Sequence, residues 1–195
     1  MVSLVAFVII AFSGFRENKM VLWYSLFYTL SSVLTLWYEN NAIATWSMIL
    51  NGSSFLFLIV LVVGKLEFKK PENLFLFSWI AVALINAWLM FMFLEILYEY
   101  ISSLELFIAI CFSCATFFIL SVTTFLYNNE HNTRNSIVFI FFLVFLIFAE
   151  MFRGVGYYEF VDSINGQYFA RFLLIISFTL LPRFTLLEVE GEKIL

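Results

Sequence analysis

Charge is what this chain of 195 residues has least of, at 12% Asp, Glu, Lys and Arg, where a soluble domain carries about 25%. Ten basic and fourteen acidic side chains are too few to cover a water-soluble surface of this size. Histidine occurs once (His131) and cysteine twice (Cys111, Cys114). That excludes a bis-histidine haem, an iron–sulfur cluster and the usual zinc site, so neither a metal nor a cofactor is expected. A net charge of −4 and a pI near 5.0 leave no basic face for nucleic acid.

What the chain has is hydrocarbon. It is 64% hydrophobic and 21% aromatic, with 27 phenylalanines and a mean hydropathy of +1.01. The expected solvent for most of it is the lipid bilayer. A membrane span takes about 20 mostly apolar residues, and 20–38, 40–64, 73–94 and 106–129 are uncharged stretches of that kind. Residues 135–149 make a fifth, continuing past Glu150 to Phe152. Residues 1–15 are wholly apolar and lack the basic segment and small-residue cleavage site of a signal peptide, which predicts a retained first helix. The last segment, 167–187, is interrupted by Arg171 and by Pro182–Arg183. Lipid-exposed backbone must satisfy its own hydrogen bonds. The expected fold is therefore all-α, a polytopic transmembrane bundle of seven spans, with six as the alternative. It forms one integral-membrane domain over residues 1–195, with no soluble domain.

Cytoplasmic loops carry an excess of Lys and Arg, and seven spans sort the basic residues unevenly. Arg16, Lys19, Lys65, Lys69, Lys70, Arg134, Arg183 and Lys193 fall on one side, eight of ten; Arg153 and Arg171 fall on the other. This predicts the N-terminus outside and the C-terminus inside, in the cytoplasmic membrane of a prokaryote. Trp37, Tyr38, Trp46, Tyr98, Tyr100, Tyr157, Tyr158 and Tyr168 then lie at the outer interface, and Trp23, Tyr24, Trp79 and Tyr127 at the inner one, the depth that rings with a polar edge favour.

Two polar groupings stand out. Glu95 and Glu99 end the fourth span, Glu105 opens the fifth, Glu150 and Arg153 end the sixth, and Arg171 opens the seventh, beside the 153–166 loop with Gly154, Gly156 and Gly166. Glu150 and Arg153 share a helix face and suit a local pair, which Arg171 would complete as a cluster. Charge near hydrocarbon points inward or pairs. The grouping therefore reads either as an outward vestibule for a small ligand or ion, or as an interfacial cluster fixing two helices. The second grouping is a midplane belt: Thr29, Ser31 and Ser32, then Asn51-Gly52-Ser53-Ser54, Asn86, Ser113 and Thr116. Small and hydrogen-bonding residues of this kind hold helices together. No midplane Asp, Glu, Lys, Arg or His is present to relay protons, and no lysine falls inside a span to carry retinal. The belt is read as packing.

Cys111 and Cys114 lie in the middle of the fifth span, where hydrocarbon opposes thiolate formation, and are read as small packed side chains. His131 is expected in an exposed loop, 128–135. Cys114 followed about forty residues later by Arg153 at a span's end resembles membrane transpeptidases of the exosortase/archaeosortase type, a resemblance confined to the second half of the chain. It implies an intramembrane cysteine nucleophile. The context Ile110-Cys111-Phe112-Ser113-Cys114 departs from that family's Glu-Ala-Cys-Ser-Gly-like motif, and Phe152 stands where the family has an Asn before the Arg. The topology, the turn Arg16-Glu17-Asn18-Lys19 and the ending Trp37-Tyr38 resemble the seven-span sensory modules of some histidine kinases, which implies ligand sensing.

The expected function is a non-catalytic structural or accessory subunit of a larger membrane assembly. Its partners would be the lipid bilayer and other membrane subunits or further copies of itself. A ligand-binding sensor or transporter-like module is the alternative, and an intramembrane transpeptidase the remote one.

Overall fold

A computed structural model describes residues 5, 7, 8, 19–67, 73–101, 103–157 and 163–194. From Lys19 on, the described residues form six α-helices and no strand. They are α1 (Lys19–Leu34, extended by a 3-10 turn at Thr35–Trp37), α2 (Asn41–Val63), α3 (Asn73–Tyr98), α4 (Leu104–His131), α5 (Arg134–Tyr157) and α6 (Ser163–Ile194). These helices match the second to seventh expected spans. The first expected span, 1–15, lies outside the described residues except for Val5, Phe7 and Val8. Among the described residues, five segments are long and apolar enough to cross a membrane: Lys19–Trp37, Asn41–Val63, Leu104–His131, Arg134–Gly154 and Tyr168–Thr185. Within α3, Ala83–Tyr98 is a shorter apolar helix. The protein is an all-helical, multi-pass membrane protein.

The chain divides into two compact units, Lys19–Glu130 and Met1–Asn18 with His131–Leu195. In the first, Asn40 caps α2 by accepting the Ala42 N–H at 3.0 Å. The core lies between α1, α2 and α4. Tyr24, Tyr28, Leu58 and Leu120 are fully enclosed there, with Tyr28 against Phe55 and Phe55 against Phe117. Tyr24 and Tyr127 are both buried in this core, Tyr24 because the α1 face bearing Tyr24, Tyr28 and Ser31 is the one that packs.

α4 runs to His131, which is half-buried at its end rather than in an exposed loop. The helix stops at Asn132, whose φ of 42° is left-handed backbone, a conformation Asn tolerates. Thr133 and Ser136 then start α5 with a reciprocal cap, each side-chain oxygen accepting the other's backbone N–H at 3.2 and 3.0 Å. These two devices shorten the expected loop to a turn.

In the second unit α5 packs on α6. Phe139 meets Phe184 at 4.6 Å, Phe152 meets Phe169 edge-on at 4.9 Å, and Ser177 donates to the Phe142 carbonyl at 3.1 Å. α5 is apolar around most of its circumference in sequence, yet it buries a stripe of Phe139, Phe142, Leu143 and Leu146. α6 passes unbroken through Pro182. The ring removes one backbone hydrogen bond, and packing of Leu181 and Phe184 on either side holds the helix.

The helix with most free surface is α3. Ile80, Leu84, Ile85, Trp88, Leu89, Phe91, Met92 and Ile96 are all exposed, an arc of about 180° at 100° per residue. The opposite side carries Asn86 and the buried Leu97.

Candidate functional site

The six charged residues singled out from the sequence belong to different units. Glu95, Glu99 and Glu105 are in the first and are all exposed. Glu105 sits in the first turn of α4, where a carboxylate complements the helix dipole. Ser103 caps that turn through the Leu106 N–H at 3.4 Å. Tyr98 stands edge-on to Phe107 at 5.2 Å, closing the connection from α3. Local helix chemistry therefore accounts for this acidic group's position at the α3–α4 end.

In the second unit Arg153 pairs with Glu150 one turn earlier on α5, at 2.5 Å. Both side chains are less than a fifth exposed, so each charge is compensated where it is partly withdrawn from solvent. Arg171, on α6, is exposed and lies 5.8 Å from the centroid of the Tyr168 ring on its own helix. Among the described residues no ion pair links it to Glu150 or Arg153. The structure thus shows a two-residue pair and a separate arginine–tyrosine contact.

The belt of Asn, Ser and Thr residues is where side chains from different helices meet. Asn51 on α2 donates to the Ser113 hydroxyl on α4 at 3.4 Å, and Thr116 returns its hydroxyl to the Ser113 carbonyl at 2.9 Å. The helices are close here because Gly52 has no side chain: a Cβ would stand 2.6 Å from the Phe112 ring and 3.0 Å from Ser113 Cα. Asn86 on α3 donates to Ser121 on α4 at 2.8 Å. α4 is therefore bridged on one side by Asn51 and on another by Asn86.

A third polar contact was not anticipated. Ser31 donates to the Ser47 carbonyl at 2.8 Å, the Ser47 hydroxyl lies 2.9 Å from the Ser31 carbonyl, and Thr35 Oγ1 sits 3.0 Å from Ser47 Oγ. All three residues are buried, and they clasp α1 to α2. The signal was present in the sequence as hydroxyls at Ser31 and Thr35, four apart, and as the small and polar file Ala44, Ser47, Asn51 and Ser54, whose spacings of three and four place them on one face of α2.

Cys111 and Cys114 are half-buried thiols within α4, neither of them in a disulfide. They belong to the first unit and Arg153 to the second. Comparison with protein-family models, with characterised proteins and with solved structures finds no match.

Proposed function

We propose that this protein is a non-catalytic subunit of a larger membrane assembly and that α3 is the helix through which it docks. One observation carries the reading. Trp88 lies 15 residues beyond Asn73 and 10 before Tyr98, about 22 and 15 Å along the helix axis, and is 62% exposed at the centre of the apolar arc. Its indole N–H has no acceptor among the described residues. An indole favours the membrane interface, where its N–H finds a partner, and a donor left in mid-bilayer hydrocarbon is costly. A neighbouring transmembrane helix with a hydroxyl or carbonyl at that depth satisfies it.

The finer topology belongs to the same proposal. Seven spans place the eight-residue basic side in the cytoplasm of a prokaryotic inner membrane. The midplane residues Asn51, Asn86, Ser113 and Thr116 serve as packing. A ligand vestibule takes second place, because Glu150 and Arg153 neutralise each other, which leaves Arg171, Glu95, Glu99 and Glu105 as its exposed groups.

The test is purification of the tagged chain at native expression in a mild detergent. Stoichiometric elution with a second polypeptide, weakened by Trp88→Leu, is expected. A monodisperse particle containing one chain and nothing else overturns the proposal.

A further inference from the structure

Asn51 is 3% exposed, yet its side chain makes a single hydrogen bond, the long one of 3.4 Å from Nδ2 to Ser113. Its Oδ1 is buried without a partner. An amide has two N–H donors and a carbonyl with two lone pairs, so most of its hydrogen-bonding capacity is unused. Rotating the amide by 180° does not help. Ser113 then donates to Oδ1, and the NH2 group is orphaned instead.

The surroundings are polar and uncharged. Ser47 lies one turn before Asn51 and Ser54 one turn after it on the same face of α2, and Ser113 and Thr116 face them from α4. Ser54 gives its hydrogen to the Asn51 carbonyl and Thr116 gives its own to the Ser113 carbonyl, so each hydroxyl oxygen keeps lone pairs to accept with. Buried amides left unpaired are expensive, and internal water with two to four polar partners is the usual remedy.

We propose that Asn51 marks a binding site for a small neutral molecule that both donates and accepts hydrogen bonds, namely water, at mid-depth between α2 and α4. An ion is a poor fit, since none of the groups named carries a charge. The Ser31–Thr35–Ser47 clasp supplies the next polar step, leading from Asn51 toward the end of the unit where α1 turns into α2.

Solid-state NMR on the full chain in lipid bilayers tests this directly. Leu50–Asn51 is the only Leu-Asn step in the sequence. Carbon-13 leucine with carbon-13, nitrogen-15 asparagine therefore assigns the Asn51 amide without a variant, and its side chain follows by intraresidue correlation. Water-edited transfer should reach Asn51 Nδ2 on the timescale of exposed Asn40 and well before Asn86, whose amide is bonded to Ser121. The transferred peak should vanish in Asn51→Leu. Transfer to Asn51 that is absent, or no faster than to Asn86, overturns the site.

Discussion

Asn86 and Trp88 stand about 200° apart around α3, so the amide that ties the helix to Ser121 and the exposed indole face opposite ways. The inward side is fixed by a short hydrogen bond and by the buried Leu97. The outward side is apolar around the exposed indole N–H, with the exposed carboxylate of Glu95 two turns further along the same face. A helix attached along one side and apolar across the other has a surface suited to a neighbour.

The close approach at Gly52 makes the α2–α4 contact sensitive to a single methyl group. Gly52→Ala should destabilise the protein by about 1–3 kcal/mol, the usual range for overpacking, and Gly52→Leu by more. Because the added carbon meets the Phe112 ring first, Phe112→Ala in the Gly52→Ala background should recover part of the loss. Thermal unfolding followed by size-exclusion chromatography reads both effects.

Removing the Ser47 hydroxyl loosens the clasp between α1 and α2, leaving only the bond from Ser31 to the Ser47 carbonyl. Ser47→Ala should cost roughly 0.6–1.7 kcal/mol, the range found for interhelical hydrogen bonds in membranes. Ser31→Ala in the same background should add less than it does alone, since the two hydroxyls also bond each other at 3.2 Å. Additive losses in a double-mutant cycle would contradict the clasp.

Glu150 and Arg153 should behave as a unit. Glu150→Gln removes the carboxylate that pairs with a partly buried guanidinium, and Arg153→Gln removes the guanidinium that pairs with a partly buried carboxylate. Each should lower the melting temperature, by the equivalent of about 1–3 kcal/mol for a charge deprived of its partner. The double variant should be closer to wild type than either single one. A loss in the double variant equal to the sum of the two single losses would show that the pair contributes nothing.

The proposed orientation rests on the basic residues alone and is open to labelling. In a Cys111→Ala, Cys114→Ala background, Glu39→Cys and Ser103→Cys should react with an impermeant maleimide on intact cells. Lys65→Cys and Asn132→Cys should react only after permeabilisation. The reverse pattern inverts the topology, and labelling of all four from one side rejects the span count.

The helices were legible in the sequence because charge is so sparse: nearly every break between apolar runs is marked by an Asp, Glu, Lys, Arg or Asn. Two boundaries were not, for opposite reasons. Pro182 and Arg183 look like a stop, but packing of Phe184 against Phe139 carries α6 through them. Asn128 to Asn132 looks like a loop, but Asn132 alone makes the turn. The midplane residues were visible as types, and their pairing was not. Depth placed Asn51 beside Asn86, whereas rotation about each helix gave Asn51 to Ser113 and Asn86 to Ser121. α5 is apolar nearly all round in sequence, yet it buries a stripe against α6, and the broad free arc is carried by α3. Which face of an all-apolar helix is buried depends on tertiary packing that hydrophobicity cannot report when every face is hydrophobic.

The most direct test of the subunit role is photo-crosslinking in the native membrane, with a photoreactive amino acid replacing Trp88 and, as control, Phe148, which is exposed on α5. A single adduct of defined mass from position 88, containing another membrane polypeptide and absent from position 148, is the predicted result. Position 88 yielding only lipid adducts, like position 148, would contradict it.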